Sequence, residues 1–313
     1  MGGAGKCRGR KMAVNEEFIS GILSICEAYA DEPMSRHTTF RIGGPADVLA
    51  EPASVAQLKA VIDLCREKSV PFTVIGRGSN VLVSDGGVRG AVIKIGPKMS
   101  TVRFENGRIH AEAGATLASV YSCAYANGFA GFEKLAGIPG FVGGAIRMNA
   151  GAYGIEIKDV LESCGFLENG ELKTVSAEEA GLSYRHSIFC DRKDAVIVSA
   201  VFKCENRAES REEILREYLA YSAKRRESQP LNMPSAGSTF KRPANGFASR
   251  LIDEAGLKGF RIGDAEVSTK HAGFVVNRGG ATAEDVLKVI EAVRKTVFEK
   301  TGVTLDPEIV YLE

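Results

Sequence analysis

Between Glu16 and Ala30 the apolar residues Phe18, Ile22, Leu23 and Ile25 return at helical spacing, which predicts an amphipathic helix ending before Asp31-Glu32-Pro33. A second helical period follows Ser54, with Leu58, Val61, Ile62 and Cys65 as its buried stripe, the Ser54 hydroxyl as its cap and Pro71 closing the unit. The stretch PFTVIGRGSNVLVSDGGVRGAVIKIG, 71–96, reads instead as short apolar strands cut by glycine turns. A strand, helix, strand, strand unit over 15–96 results. Over 97–205 the period alternates: RIHAEAG and AVIVSAVFKC read as strands and TLASVYSCAYANG as a helix, with the glycine-rich stretch GIPGFVGGAIRMNAGAYG, 137–154, between them. The polar segment ENRAESREEILREYLAYSAKRRESQP then predicts a helix whose acids lead and whose bases follow, as the peptide dipole prefers. Its start, near Asn206, is taken as a boundary, opening a third α+β unit over 206–302. There ATAEDVLKVIEAVRKTVFEKTG carries a Thr282 cap, a core face of Val286, Val289, Ile290, Val293 and Val297, and a stop at Gly302. Residues 303–313 form a closing segment and 1–14 a loose basic tail.

The composition, 44% hydrophobic and 25% charged over 313 residues, is that of a folded chain. Forty basic residues against thirty-nine acidic ones leave a formal charge of +1, so the chain has no general attraction for nucleic acid or anionic membrane. Any anion must be met locally. Seven cysteines without a C-x-x-C spacing support neither a zinc site nor a disulfide framework, and no metal is expected. Reduced thiols point to a cytoplasmic setting. The N-terminus lacks the apolar run of a signal peptide, and no stretch reaches the roughly eighteen apolar residues of a membrane span.

Two glycine loops carry the candidate chemistry. GRGSN at 76–80 follows the apolar run FTVI but fails the dinucleotide fingerprint, because Val81 occupies the third glycine position and another strand follows where a helix is needed. What remains is either a plain strand turn or a nest of backbone N–H groups that, with the Ser79 and Asn80 side chains, holds an anion. The second loop sets Gly137, Gly140, Gly143 and Gly144 around Pro139, with Asn149, Gly151 and Gly154 directly after. Ordering so much glycine costs entropy that close approach of a large flat ligand would offset; a glycine-lined helix crossing is the alternative.

Seven blocks in order, HTTFRIGGPAD (37–47), IGRGSNVLVSDGGVRG (75–90), the stretch at 137–154, SYRHSIF (183–189), PSAGSTFKRP (234–243), GLKGFRIGDAEVSTKHAGFVVN (256–277) and DPEIVYL (306–312), resemble the UDP-N-acetylenolpyruvoylglucosamine reductase family from about Asp31 to the C-terminus. The resemblance implies an α+β protein with a two-part FAD-binding region of the PCMH/VAO type plus a third α+β substrate-binding domain. It implies a cytoplasmic, monomeric flavoenzyme that makes UDP-N-acetylmuramate for bacterial cell walls, with NADPH as co-substrate. It places FAD against Gly76, Arg77, Gly78, Ser79 and Asn80, and against Gly137, Pro139, Gly140, Gly143, Gly144, Asn149 and Gly151. FAD is expected without a covalent bond, since His37 resembles no attachment site of the family. Arg185, Ser238 and Glu308 match the family's catalytic residues: hydride reaches the enolpyruvyl β-carbon, Arg185 and Glu308 stabilise the enolate, and Ser238 protonates the α-carbon.

Tyr184, Arg226, Arg242 and Lys258 are the expected contacts to the nucleotide sugar, with Arg225 and Lys241 as further local cations. Val310 stands where a basic residue is expected two positions after Glu308, and the chain resembles the shorter branch of the family, without the inserted segment that carries a substrate-covering tyrosine. An oxygen-reactive FAD oxidase on the same cofactor domain, or a noncatalytic nucleotide-sugar binding protein, are the competing readings.

Overall fold

The computed structural model describes residues 14–192, 194–205, 210–244 and 246–313. Its first sheet runs Glu27–Pro33, Pro45–Glu51, Val88–Lys94, Phe72–Ile75, antiparallel at the first pairing and parallel at the other two. Helix Val55–Glu67 begins where its pattern predicts: the Gln57 N–H donates to the Ser54 hydroxyl at 3.2 Å, and Leu58, Val61, Ile62 and Cys65 are buried. The first helix is shorter than its pattern. It spans Glu16–Ile25, capped by Asn15, and Leu23 lies 53% exposed on its outer face. Extended chain replaces the expected last turns because Glu27–Pro33 pairs with Pro45–Glu51, which satisfies its backbone and buries Ala28.

A five-stranded antiparallel sheet, ordered Glu171–Ser176, Leu161–Glu168, Val196–Lys203, Arg108–Glu112, Val102–Glu105, forms the second unit. Thr116 caps helix Leu117–Ala126, accepting from the Ser119 N–H at 3.0 Å. Part of the glycine stretch is itself helical, Val142–Arg147. One continuous hydrophobic core joins these two units, from Val48 and Ile93 to Ile109 and Phe202.

In the third unit, strands Ser235–Ser238, Phe274–Asn277, Ala265–Val267 and Arg261–Ile262 make an antiparallel sheet against helix Ala283–Thr301. That helix starts in a Thr282/Asp285 capping box and stops at Gly302 with φ 70°. Its face of Val286, Val289 and Val293 shares a core with Ile252 and with Phe40, Ile42 and Leu82 of the first unit. The charged helix spans Arg211–Ser228 and is capped by Ser210. It belongs by packing to the first core: Ile214 is buried there, and Tyr218 stacks on Tyr121 at 4.6 Å. The expected boundary at Asn206 and the tail up to residue 13 lie outside the described residues.

Polar bonds hold the third unit onto the first. Both Asp85 oxygens accept from the start of helix Ala283–Thr301, at 2.8 Å from the Ala283 N–H and 3.0 Å from the Glu284 N–H. The Thr39 hydroxyl donates to the Ser235 carbonyl at 2.7 Å, and the Asn277 amide donates to the Phe40 carbonyl at 3.1 Å. The last strand, Val310–Leu312, returns to pair in parallel with Val81–Val83.

Candidate active site

The GRGSN loop connects strand Phe72–Ile75 to strand Val81–Val83. Among the described residues, none of the five amide N–H groups at 76–80 donates to a protein acceptor. Gly78 itself is explained by the protein: at φ 69°, an added Cβ would lie 2.1 Å from the His37 carbonyl oxygen. The His37 ring engages Glu32 at 2.9 Å through Nε2 and Lys94 at 3.0 Å through Nδ1. Asn80 does not aim its side chain at the loop interior. Its amide donates to the Glu308 carbonyl at 3.2 Å, and its own carbonyl accepts from the Val310 N–H at 3.0 Å, so it ties down the C-terminal segment.

The second glycine loop faces the first. A Cβ at Gly76 would stand 3.5 Å from the Phe141 ring, and one at Gly140 would stand 3.9 Å from the Ser79 hydroxyl oxygen. Here the two readings of the glycines divide by position. Gly143 sits against Ala113, where a Cβ would be 3.1 Å from a neighbouring Cβ, and Gly151 sits against Ile155 and Glu156, so both serve internal packing. At Gly144 a Cβ would meet nothing within 4 Å. Open main chain at Gly140, beside Ser79, and at Gly144, together with five amides without acceptors, fits a large ligand carrying a diphosphate.

Arg185 stands at the tip of a tight turn. Ser183 and His186 exchange both backbone bonds, at 3.0 and 3.1 Å, and Arg185 adopts φ 56°. Its Nε donates to Glu308 Oε1 at 2.5 Å, and Nη2 reaches the Gly151 carbonyl at 3.5 Å. Burial pushes the Glu308 carboxyl above its ordinary value; the Arg185 guanidinium and then Lys241 pull the other way. Main-chain bonds bring Glu308 to Ser238: the Glu308 N–H donates to the Thr239 carbonyl at 2.8 Å, the Lys241 N–H to the Asp306 carbonyl at 2.8 Å. Ser238 is exposed at the end of its strand, paired in the sheet with Phe274. Three residues far apart in the chain thus converge beside the glycine loops. Val310, in place of the expected basic residue, takes part in strand pairing, so Glu308 draws its support from Arg185 and the main chain.

Asn149, expected at the cofactor, is instead a fully buried brace. Its amide donates to the Ser183 carbonyl at 2.9 Å and to Glu156 Oε2 at 3.0 Å, and accepts from the Lys158 N–H at 3.0 Å. The side chain therefore fixes the turn that presents Arg185. Replacement by alanine removes three part-buried hydrogen bonds and leaves a gap where a fully buried amide stood, and a loss on the order of 1 to 3 kcal/mol is expected from urea unfolding. A loss near zero would show that water replaces those bonds.

The expected substrate contacts divide. The Tyr184 hydroxyl accepts from the Arg242 N–H at 2.9 Å, and the Arg185 guanidinium lies 5.0 Å from the Tyr184 ring. Arg242 stacks over Phe247 at 4.5 Å. Lys258 is paired with Asp253 at 2.6 Å on the wall of a cavity of about 300 Å³ that Phe247, Lys270 and His271 also line. Arg226 and Arg77 are exposed. Thr239, which anchors Glu308 beside Ser238, escaped the sequence reading; its only signal is its place inside the AGSTF block.

His271 accepts from the Gly273 N–H through Nδ1 at 3.1 Å, and burial holds its pKa below the ordinary value, with Lys258 adding to the effect. The unfolded chain therefore binds the proton more readily than the folded one, and stability falls as pH drops through the ordinary imidazole range. Between pH 7.5 and 5.5, His271→Asn should lose less melting temperature than the parent protein; equal losses would remove this residue from the pH response.

Among the described residues, no cluster of side chains suits a metal, six cysteines are free, and no helix is long and apolar enough to cross a membrane. Residues 46–176 match the model of an FAD binding domain, and residues 229–312 match that of the C-terminal domain of UDP-N-acetylenolpyruvoylglucosamine reductase. A reductase of that name from Caldanaerobacter subterraneus subsp. tengcongensis is 47% identical over 93% of this chain and 95% of its own. One from Agathobacter rectalis is 49% identical over 95% of this chain and 98% of its own. The crystal structure of UDP-N-acetylenolpyruvylglucosamine reductase from Thermus caldophilus superposes with a TM-score of 0.78 at 35% identity, covering 92% of this chain and 98% of that one.

Proposed function

The chain belongs to the UDP-N-acetylenolpyruvoylglucosamine reductase family, and from that premise we propose that it reduces UDP-N-acetylglucosamine enolpyruvate to UDP-N-acetylmuramate with NADPH as reductant, in the cytoplasm and as a monomer. The amides at 76–80 and the open main chain at Gly140 and Gly144 would hold FAD, which when bound would supply the hydride for the enolpyruvyl β-carbon. The residues of this chain then have two tasks. Negative charge grows on the substrate carboxylate as an enolate, and Arg185, permanently cationic and forked, holds it. Glu308 fixes the guanidinium by taking its Nε and the Gly151 carbonyl takes one N–H of Nη2, which leaves Nη1 and the remaining Nη2 N–H for substrate. Ser238 delivers the proton to the α-carbon.

Tyr184 and Arg242, bonded to one another beside Arg185, with Lys258 in the third unit and Arg226 near the end of the charged helix, provide the nucleotide-sugar side of the site. We assign 15–205, with helix Arg211–Ser228 packed on their core, to cofactor binding and the residues after that helix up to 302 to substrate, with 303–313 returning Glu308 to the centre.

The observation that carries the reading is the Arg185–Glu308 pair at 2.5 Å, tied through Asn80 to one glycine loop and through Gly151 to the other. The test is anaerobic: NADPH should bleach the yellow protein, and the enolpyruvyl nucleotide sugar should restore the colour with formation of UDP-N-acetylmuramate. Colour that returns only on admitting air, whatever nucleotide sugar is present, would mean an oxidase instead.

A further inference from the structure

Arg225 occupies the last turn of helix Arg211–Ser228, and its side chain runs onto the second glycine loop. A Cβ on Gly137 would lie 2.8 Å from Arg225 Nη1 and 3.1 Å from its Cδ, so glycine at 137 is what lets the guanidinium reach the loop. Its Nε donates to the Gln229 side-chain oxygen at 2.9 Å. Among the described residues no carboxylate lies within ion-pair distance of it, whereas Lys258 on the cavity wall has Asp253. Burial depresses the Arg225 pKa, and no carboxylate is among the influences that oppose it. The neighbouring Arg226 is exposed. Arg225 is half-buried, and drawing a guanidinium partly out of water without a counter-charge carries a cost that the carbonyl end of its helix offsets only in part. Such a residue is built for an anion that arrives with a ligand.

We propose that Arg225 binds a ligand diphosphate at the Gly137 end of the glycine wall, the counter-ion being carried by FAD or by one of the two nucleotide substrates. The proposal rests on the reading that the glycine loops form the ligand wall. It reverses the weight the sequence places on Arg226. Only Arg225, the half-buried member of the Arg225-Arg226 pair, is partly desolvated and turned to the loop.

The experiment compares purified holoenzyme with its Arg225→Gln and Arg225→Lys variants, with melting temperature as the control for folding. Three affinities are read: FAD retention, by the rise of free-flavin fluorescence on dilution, and the KM values for NADPH and for the enolpyruvyl nucleotide sugar. Arg225→Gln is expected to weaken one of them at least tenfold, and the arm that moves names the diphosphate; Arg225→Lys recovers part of the loss because it keeps the charge. Unchanged FAD retention and unchanged KM values in Arg225→Gln, or in Arg225→Lys where the glutamine variant does not accumulate, overturn the proposal. A parent protein that binds no FAD would sink the underlying reading instead, and the two failures are thereby told apart.

Discussion

Ser238→Ala should leave reduction of the bound flavin by NADPH within about twofold of the parent rate, while transfer to the enolpyruvyl substrate slows by roughly 10²- to 10⁴-fold, the range typical of a lost general acid. The backbone argues that this effect would be chemical. Ser238 ends a strand whose partner is Phe274, and the next residue, Thr239, gives its carbonyl to the Glu308 N–H. Alanine keeps both pairings and removes an exposed hydroxyl, so neither the fold nor the placement of Glu308 has reason to change. A serine hydroxyl is a weak acid near neutral pH and needs positive charge nearby. Lys241, close enough to pull on Glu308, and Arg185 supply it. Rapid-mixing spectrophotometry separates the two halves of the cycle. Equal slowing of both would remove serine from the proton transfer and make it a residue of general packing.

Local patterns were readable where the physics is local. The caps at Ser54 and Thr282, the stripe from Leu58 to Cys65 and the stop at Gly302 each depend on contacts within a few residues, and each stands where the chain announces it. The strand Glu27–Pro33 was hidden because its pairing partner, Pro45–Glu51, lies beyond the reach of any local pattern, and helical spacing up to Ile25 masked the change. The site divides in the same way. Arg185, Ser238 and Glu308 carry no spacing that joins them; only resemblance of whole blocks nominated them, and two long-range pairings gather them. The glycines were legible as a demand for space but not as to who fills it: main chain at Gly78 and Gly151, a side chain at Gly143, open space at Gly144. Asn80 and Asn149 have the composition of ligand contacts, yet their amides face the protein and hold Glu308 and the Arg185 turn in place.

Arg185→Lys should cost the enolpyruvyl half of the cycle roughly 10²- to 10³-fold, the usual price of one lost charge-stabilising donor group, with FAD retention and reduction by NADPH preserved. The geometry sets the asymmetry. In the parent, Nε is committed to Glu308 and Nη2 also reaches the Gly151 carbonyl, with Nη1 remaining for substrate oxygens; an ammonium on a flexible stem cannot span these partners at once. Lysine is the informative change because alanine alters a second group. Glu308 is already held above its ordinary pKa by burial, and Arg185 is the first force opposing that rise. Without the arginine the carboxyl rises further, so its folded form favours the proton more strongly than the unfolded chain does. The stability attached to that group is present below the unfolded pKa and lost as pH climbs through the folded one. Arg185→Ala should therefore be more destabilised, relative to the parent, at pH 8 than at pH 5 in urea unfolding, whereas Arg185→Lys should show little such trend. If the two variants lost stability alike at both pH values, Glu308 would not depend on Arg185 for its ionised form, and the pair would no longer explain how the guanidinium is aimed.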